Sequence, residues 1–390
     1  MIAGFHGLTL RLDVPGEWRR VPDEDVLRWS HASGLQLVAR WRDAERARLE
    51  VDVLPADEIA SAPAPRLHVE SEHPLIPWLG GASGEIVALT GRGPVFAQRK
   101  RGYASGSTES MGLFAEPLVV APGHPVSSVW VFERFEGDLL DAPMEPRWLP
   151  PRRHVPLGDE IELALPDGVV TGVEAVERDT GFLLVGEPGL HTVQVGGPTG
   201  ITQLEVGWFL DWLELVEAAR AGAPDDLWSY LTTLLPRDVD VDELDVRLAA
   251  ALETPTLWGA LAAARAVDYG LPTFDDARAA AARLVEGADV PTRIALLSRG
   301  LVDVQALVGV QLGREAVEGL RRFGLGRVTS HYPDGAEREL AATWFWLAGM
   351  GDTVLGARIG GIVALVHARA LSRASQTLDP EAVAWLSLFA

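Results

Sequence analysis

The hydrophobic pattern of the chain changes its period near residue 208, and this change constrains the fold more than any other feature. Before that point, apolar and polar residues alternate in short runs such as 8–14, which end at proline or glycine. Alternation with period two is typical of half-buried β-strands. From Trp208 onward the apolar residues Trp208, Trp212, Leu215 and Ala219 follow helical spacing. The sequence therefore predicts an α+β chain with strands first and helices last.

A second feature, the proline-rich stretch 144–156, divides the strand-rich part in two. Such connectors commonly separate domains. We therefore predict a multidomain protein with a β-rich domain at 1–150, a small β module at 157–207 and an all-α helical bundle at 208–390. Within the first domain we predict that 55–65 is a loop, because proline occurs at both of its ends.

The middle module contains a recognisable strand pattern. Residues 187–193 read Glu-Pro-Gly-Leu-His-Thr-Val, and a Pro-Asp-Gly turn signal lies at 166–168. The first of these resembles the penultimate strand of bacterial Ig-like modules, with His191 where the family has tyrosine. The resemblance implies a small Ig-like β-sandwich and carries no function with it.

The helical part has clear start signals. Prolines that suit a first helical turn occur at 224, 255, 291 and 380, and Asp379 is a suitable N-cap. Thr273 with Asp276 predicts a variant of the capping box. Five carboxylates between 238 and 245 fail the calcium-loop spacing and predict an acidic helix N-terminus instead.

Composition excludes several classes of function. The net charge is −21, and each of the three segments has more carboxylates than basic residues, so we expect no binding to nucleic acid. The chain has no cysteine, which excludes disulfides and thiolate chemistry. No apolar stretch approaches the ~20 residues that span a bilayer, and no secretory signal is visible. We therefore expect a cytoplasmic bacterial protein.

The motifs of common catalytic and cofactor sites do not occur. The sequence contains no Gly-x-Ser-x-Gly, no His-Glu-x-x-His, no complete dinucleotide loop and no Walker loop. Lys100 is the only lysine and lies in no motif. The histidines are scattered along the chain, at 6, 31, 68, 73, 124, 154, 191, 331 and 367. We therefore predict no catalytic residue and no cofactor.

One weak metal candidate exists. If 66–73 is a strand, His68, Glu70 and Glu72 lie on the same face and could act as ligands. The alternative is a solvated edge strand whose polar side chains face water, and this alternative is favoured because no second ligand cluster is identifiable.

The segment 341–370 is the strongest candidate for an interaction site. Trp344 and Trp346 precede a glycine-rich break, and Gly356, Gly360, Ala364 and Ala368 then recur every four residues. On a helix they form a stripe of small residues that lets another backbone approach closely. Burial as the central helix of the bundle is the first interpretation; a subunit interface and a membrane-inserting hairpin are the others.

These observations favour a non-catalytic, protein-binding adaptor or scaffold in a bacterial multiprotein system. One alternative is a hydrolase or metal-dependent enzyme whose site is assembled from residues distant in sequence. Another is a membrane-acting effector that uses 341–370.

Overall fold

In this computed structural model the described residues are 2–23, 25–72, 75–77, 84–90, 93–103, 105–106, 110–136, 148–165, 167–197, 200–236, 239–316, 337–338, 340, 343–345, 347 and 353–389. Antiparallel sheets occupy the first part of the chain and a helical region follows. This order confirms the predicted mixed class of fold.

The N-terminal strands form two larger sheets and a short ribbon. The strands are β1 (Ile2–Phe5), β2 (Leu8–Asp13), β3 (Arg19–Val21), β4 (Leu27–Ser30), β5 (Gln36–Arg42), β6 (Arg46–Leu54), β7 (Ala60–Ala62), β8 (Arg66–Ser71), β9 (Leu75–Pro77), β10 (Gly84–Thr90), β11 (Gly93–Tyr103), β12 (Ser105–Gly106), β13 (Ser110–Gly112), β14 (Leu118–Val120) and β15 (Val126–Arg134). One sheet has the order β1-β2-β8-β13-β12, the second includes β3-β4-β5-β6-β15-β11, and β7 pairs with β14. Alternate residues such as Leu10, Val51 and Trp130 are buried in one core between them, as period-two patterning requires.

The middle of the chain forms a three-stranded sheet and one end of the larger sheet, packed around a separate cluster of buried residues. Its strands are β16 (His154–Pro156), β17 (Ile161–Leu163), β18 (Val169–Thr171), β19 (Glu174–Arg178), β20 (Gly181–Val185), β21 (Gly189–Gly197) and β22 (Gly200–Phe209). Strands β17, β20 and β19 make one sheet, while β18, β21, β22 and the parallel strand β16 lie in the other. Ile161, Leu184, Val195 and Trp208 share the core between them.

The middle sheets are joined to the N-terminal part. Gly102 and Tyr103 of β11 pair in parallel with Gly200 and Ile201 of β22, which makes the larger sheet continuous across both parts. The buried guanidinium of Arg99 donates to the carbonyl oxygens of Gly102 and Ile201 and so reinforces this link. The predicted domain boundaries and the Ig-like identity of the middle module stay predictions.

Two local predictions were wrong. The segment 55–65 contains strand β7, and its Ala62 is buried in the N-terminal core. The proline-rich stretch ends in strand β16, whose Val155 is buried in the middle core, and its role as a connector between domains stays a prediction. Trp208 lies in strand β22, where its indole N–H donates to the carbonyl oxygen of Asp159 at 2.9 Å. The first helix therefore begins at Trp212, a few residues after the predicted change.

The helices pack around a third cluster of buried residues. Those that lie wholly within the described residues are α1 (Trp212–Arg220), α2 (Asp225–Thr232), α3 (Val241–Glu253), α4 (Leu257–Ala266), α5 (Phe274–Leu284), α6 (Val290–Ser298), α7 (Val354–Thr377) and α8 (Pro380–Leu386). Asp240 and Asp379 are the N-caps of α3 and α8, and the side chain of each accepts at least one hydrogen bond from a backbone N–H group of its helix, as the acidic N-termini predict. The hydroxyl of Thr273 accepts no backbone N–H of α5, and it donates to the carbonyl oxygen of Ala263.

The long helix α7 differs from the expected central helix. Val363, Val366 and Ala370 are buried, but Ala357 and Ala364 on the opposite face are exposed to solvent. The expectation that this helix is buried on all sides was therefore wrong. Among the described residues, no helix combines the length and the apolar character needed to cross a membrane.

Candidate functional site

The most developed site lies where helix α7 packs on the sheet of the middle module. Strand β16 pairs with the end of β22, placing His154 beside Gly207. A Cβ atom at Gly207 would lie 2.7 Å from the Cβ of Ser372 and 2.8 Å from the carbonyl oxygen of Gly189. Only glycine therefore fits at this point, and it allows α7 to approach the strand closely.

A buried ion pair joins the helix to the sheet. The Nε of Arg369 donates to Oε1 of Glu205 at 2.8 Å, and its Nη2 donates to Oε2 at 3.2 Å. The two side chains are 4% and 13% exposed. Two parallel N–H···O bonds fix the geometry as well as the distance, so this pair holds α7 in register with β22.

His154 lies beside this ion pair in surroundings that favour the neutral imidazole. Burial lowers its pKa well below the ordinary value of 6.5, and the charges of Arg153 and Arg369 lower it further. Its Nε2 lies 3.9 Å from Oε1 of Glu205, which is beyond hydrogen-bond distance. Nδ1 is buried and has no hydrogen-bond partner within the described part of the chain. A buried nitrogen in this state is an exception that calls for an explanation.

An open cleft of about 750 Å³ lies over His154. One wall is the stretch 148–164 and the other is the face of α7 that carries Ala364, Leu365 and Ala368. The small side chains of α7 leave the space open. Both signs of charge are present along the first wall, in Arg152, Arg153, Asp159, Glu160 and Glu162. A volume between about 300 and 1,000 Å³ is typical of ligand sites.

The predicted metal candidates lie elsewhere, on the N-terminal sheet. His68 and Glu70 share the solvent side of β8, and Glu72 follows the strand and is exposed. Nε2 of His68 lies 3.5 Å from Oδ2 of Asp13 on the neighbouring strand β2. Among the described residues, no group of three histidine or carboxylate side chains could hold a metal ion. Strand β8 lies between β2 and β13, so the edge-strand interpretation was wrong while the solvated face is present.

The predicted interaction residues are in different environments. Trp344 is partly buried against the helical core and stacks on His367, with ring centroids 6.5 Å apart. Trp346 lies outside the described residues. Gly356 is buried in the first turn of α7, where its N–H donates to the N-cap Thr353.

The other two interaction residues face outward. Ala364 is exposed and lines the cleft, and Gly360 is partly exposed. Among the described residues, no atom lies within 4 Å of a Cβ built at Gly360. The described part of the chain therefore makes no close contact of the kind that the small-residue stripe predicts at this position.

The site residues His154, Glu205 and Arg369 were not singled out from the sequence. They are separated by 51 and 164 positions, and no spacing rule connects them. The available signal was local: Arg152, Arg153 and His154 place three polar residues where the chain enters a buried strand.

Comparison with known proteins supplies a fold likeness. No protein-family model matches the chain, and no curated protein matches it. A solved structure described as a polysaccharide lyase is similar over 89% of this chain and 72% of its own, with a TM-score of 0.50 and 10% sequence identity. At this identity the likeness concerns the fold alone.

Proposed function

We propose that the protein is a non-catalytic, protein-binding adaptor or scaffold. The observation that carries the proposal is the outward face of α7. Five small or apolar residues repeat there at three- and four-residue intervals: Val354, Ala357, Gly361, Ala364 and Ala368. The first four are exposed and the last is partly exposed. Cytoplasmic location in a bacterium is part of the same proposal.

The partner that fits this face is an amphipathic helix of another protein. Spacing of three and four residues is the pattern with which two helices interlock. Small side chains allow the partner's backbone to come close, towards the lower end of the usual separation of about 8–10 Å between helix axes. Larger apolar side chains of the partner would then fill the space above Gly361.

A rigid support strengthens this proposal. Helix α7 is held to the middle sheet by the Arg369–Glu205 ion pair and by the close contact at Gly207. A face that does not rearrange on binding loses little conformational entropy in forming a complex. This is the property that a scaffold requires.

The test is to block the face without disturbing the fold. Gly361 is exposed, and no atom of the described residues lies within 4 Å of a Cβ added there, so Gly361→Leu should fold normally but prevent a close helix contact. A photo-crosslinking residue at 357 should capture a partner, and one at Val246, which is also exposed but lies on α3, should not. The captured protein, once purified, should bind the wild-type chain and the Val246→Leu control, and bind Gly361→Leu at least tenfold more weakly. Equal binding to all three would contradict the proposal.

A second candidate function is saccharide recognition in the cleft over His154. The observation that favours it is the cleft lining, in which Trp148 lies near side chains of both charge signs. The similar solved structure is described as a polysaccharide lyase, which is in keeping with this candidate. Binding of oligosaccharides to the purified chain tests it directly.

A further inference from the structure

We infer that the cleft binds a neutral saccharide and that Nδ1 of His154 accepts a hydrogen bond from one of its hydroxyl groups. This inference rests on the second candidate function. It adds the recognising atom and the charge class of the ligand.

The first argument is the state of His154. Its Nε2 faces the carboxylate of Glu205, which favours the tautomer that carries hydrogen on Nε2. Nδ1 is then a bare acceptor. It is buried, it has no partner among the described residues, and the residue lines the cleft. An acceptor in this position needs a donor, and a ligand hydroxyl group is one.

The second argument concerns the charge of the ligand. Asp159, Glu160 and Glu162 would repel an anion, while Arg152 and the buried Arg153 would repel a cation. A neutral polyol can form hydrogen bonds with both kinds of group, because its hydroxyl groups donate to carboxylates and accept from guanidinium groups.

The third argument is the apolar part of the lining. A pyranose ring has a C–H face that packs on apolar and aromatic surfaces. Trp148, Pro150 and Pro151 supply such a surface on one wall, and Ala364 and Leu365 supply it on the other. The cleft volume of about 750 Å³ accommodates a short oligosaccharide.

The experiment combines a glycan array, with neutral and uronic acid oligosaccharides, and titration calorimetry on the best neutral ligand. His154→Phe removes the acceptor and keeps a planar ring. We expect at least a tenfold loss of affinity with an unchanged or higher melting temperature. His154→Asn offers a carbonyl oxygen near the position of Nδ1 and should retain part of the affinity. His68→Phe, far from the cleft, should bind like the wild type.

A spectroscopic readout identifies the atom. In protein labelled with ¹⁵N-histidine, the Nδ1 resonance of His154 should shift when the neutral oligosaccharide is added. Failure of all neutral oligosaccharides to bind, or preference for uronic acids, would overturn the inference. If a neutral oligosaccharide bound His154→Phe as tightly as the wild type, saccharide recognition would stand and the role of His154 would fall. The crosslinking test on α7 is unaffected by either result.

Discussion

Replacement of Arg369 by methionine is the most direct test of how α7 is held to the middle sheet. The change removes both hydrogen bonds to Glu205 and keeps much of the length of the side chain. It leaves a carboxylate that is only 13% exposed without its cation. Removing one partner of a buried ion pair costs about 3–5 kcal/mol. We expect the lower end of this range, since His154 lies 3.9 Å from the same carboxylate.

The loss should depend on pH. Arg369 is one of the charges that lower the pKa of His154, so its removal raises that pKa. Below the raised pKa, His154 becomes protonated and can replace Arg369 beside Glu205. Arg369→Met should therefore become less destabilising, compared with pH 8, as the pH falls through that raised pKa. Glu205→Gln in the same chain removes the orphaned charge, and the double variant should recover more than half of the loss.

The assay must resolve local stability, because the buried residues that the structure describes form three clusters. Hydrogen exchange read by mass spectrometry reports the protection of α7, β21 and β22 separately from the N-terminal sheets. Urea unfolding followed by tryptophan fluorescence supplies the overall change. A loss within the range of about 0–1 kcal/mol typical of surface ion pairs, with unchanged exchange in α7, would refute the locking role.

Three further predictions follow from single positions. The free energy of unfolding of the wild type should fall as the pH drops below 6.5, because the pKa of His154 is lower in the folded chain and the unfolded chain therefore takes up the proton first. The contribution of His154 is up to about 1.4 kcal/mol per pH unit. His154→Phe should flatten the dependence of this free energy on pH, measured by urea unfolding, and an unchanged slope would exclude His154 as the cause. Gly181→Ala should destabilise the middle module by about 1–3 kcal/mol, because the φ of Gly181 is +145° and an added Cβ would overlap a neighbouring backbone. Gly158 also has a positive φ (+94°) but lies in open space, so Gly158→Ala tests backbone strain alone and should cost less. Equal melting temperatures of the two variants would contradict this prediction. The double variant His68→Ala, Glu70→Ala should change the free energy of unfolding by less than about 0.5 kcal/mol and leave the metal content of the protein unchanged. Loss of a stoichiometric metal ion in this variant would support the metal-enzyme alternative.

The sequence predicted elements whose signal is local. The run that alternates from Leu8 is strand β2, and the carboxylates before α3 cap that helix. Trp208 was assigned to a helix because it lies four positions before Trp212, which matches helical spacing, although it belongs to strand β22. Pairing of β16 with β22 depends on contacts between residues about 53 positions apart, which no local pattern reports. The candidate site depends on that pairing and on the packing of α7, so it could not be predicted from the sequence for the same reason.

Two glycines, Gly360 on α7 and Gly207 on β22, provide a final test of whether the sequence pattern or the structure identifies the close contact. A small-residue stripe on α7 predicts that Gly360 makes a close contact and tolerates no side chain. In the part of the chain that the structure describes, a Cβ added at Gly360 meets no atom within 4 Å, whereas a Cβ added at Gly207 would lie 2.7 Å from Ser372.

The glycine that allows close packing therefore belongs to the strand, and the helix glycine only weakens its helix. Gly360→Ala should raise stability by about 0.5–1 kcal/mol through helix propensity, and Gly207→Ala should lower it by about 1–3 kcal/mol through overpacking. Urea unfolding of the two variants measures both signs. If Gly360→Ala were the more damaging change, the contact that the stripe predicts would exist and the outward face proposed for α7 would not.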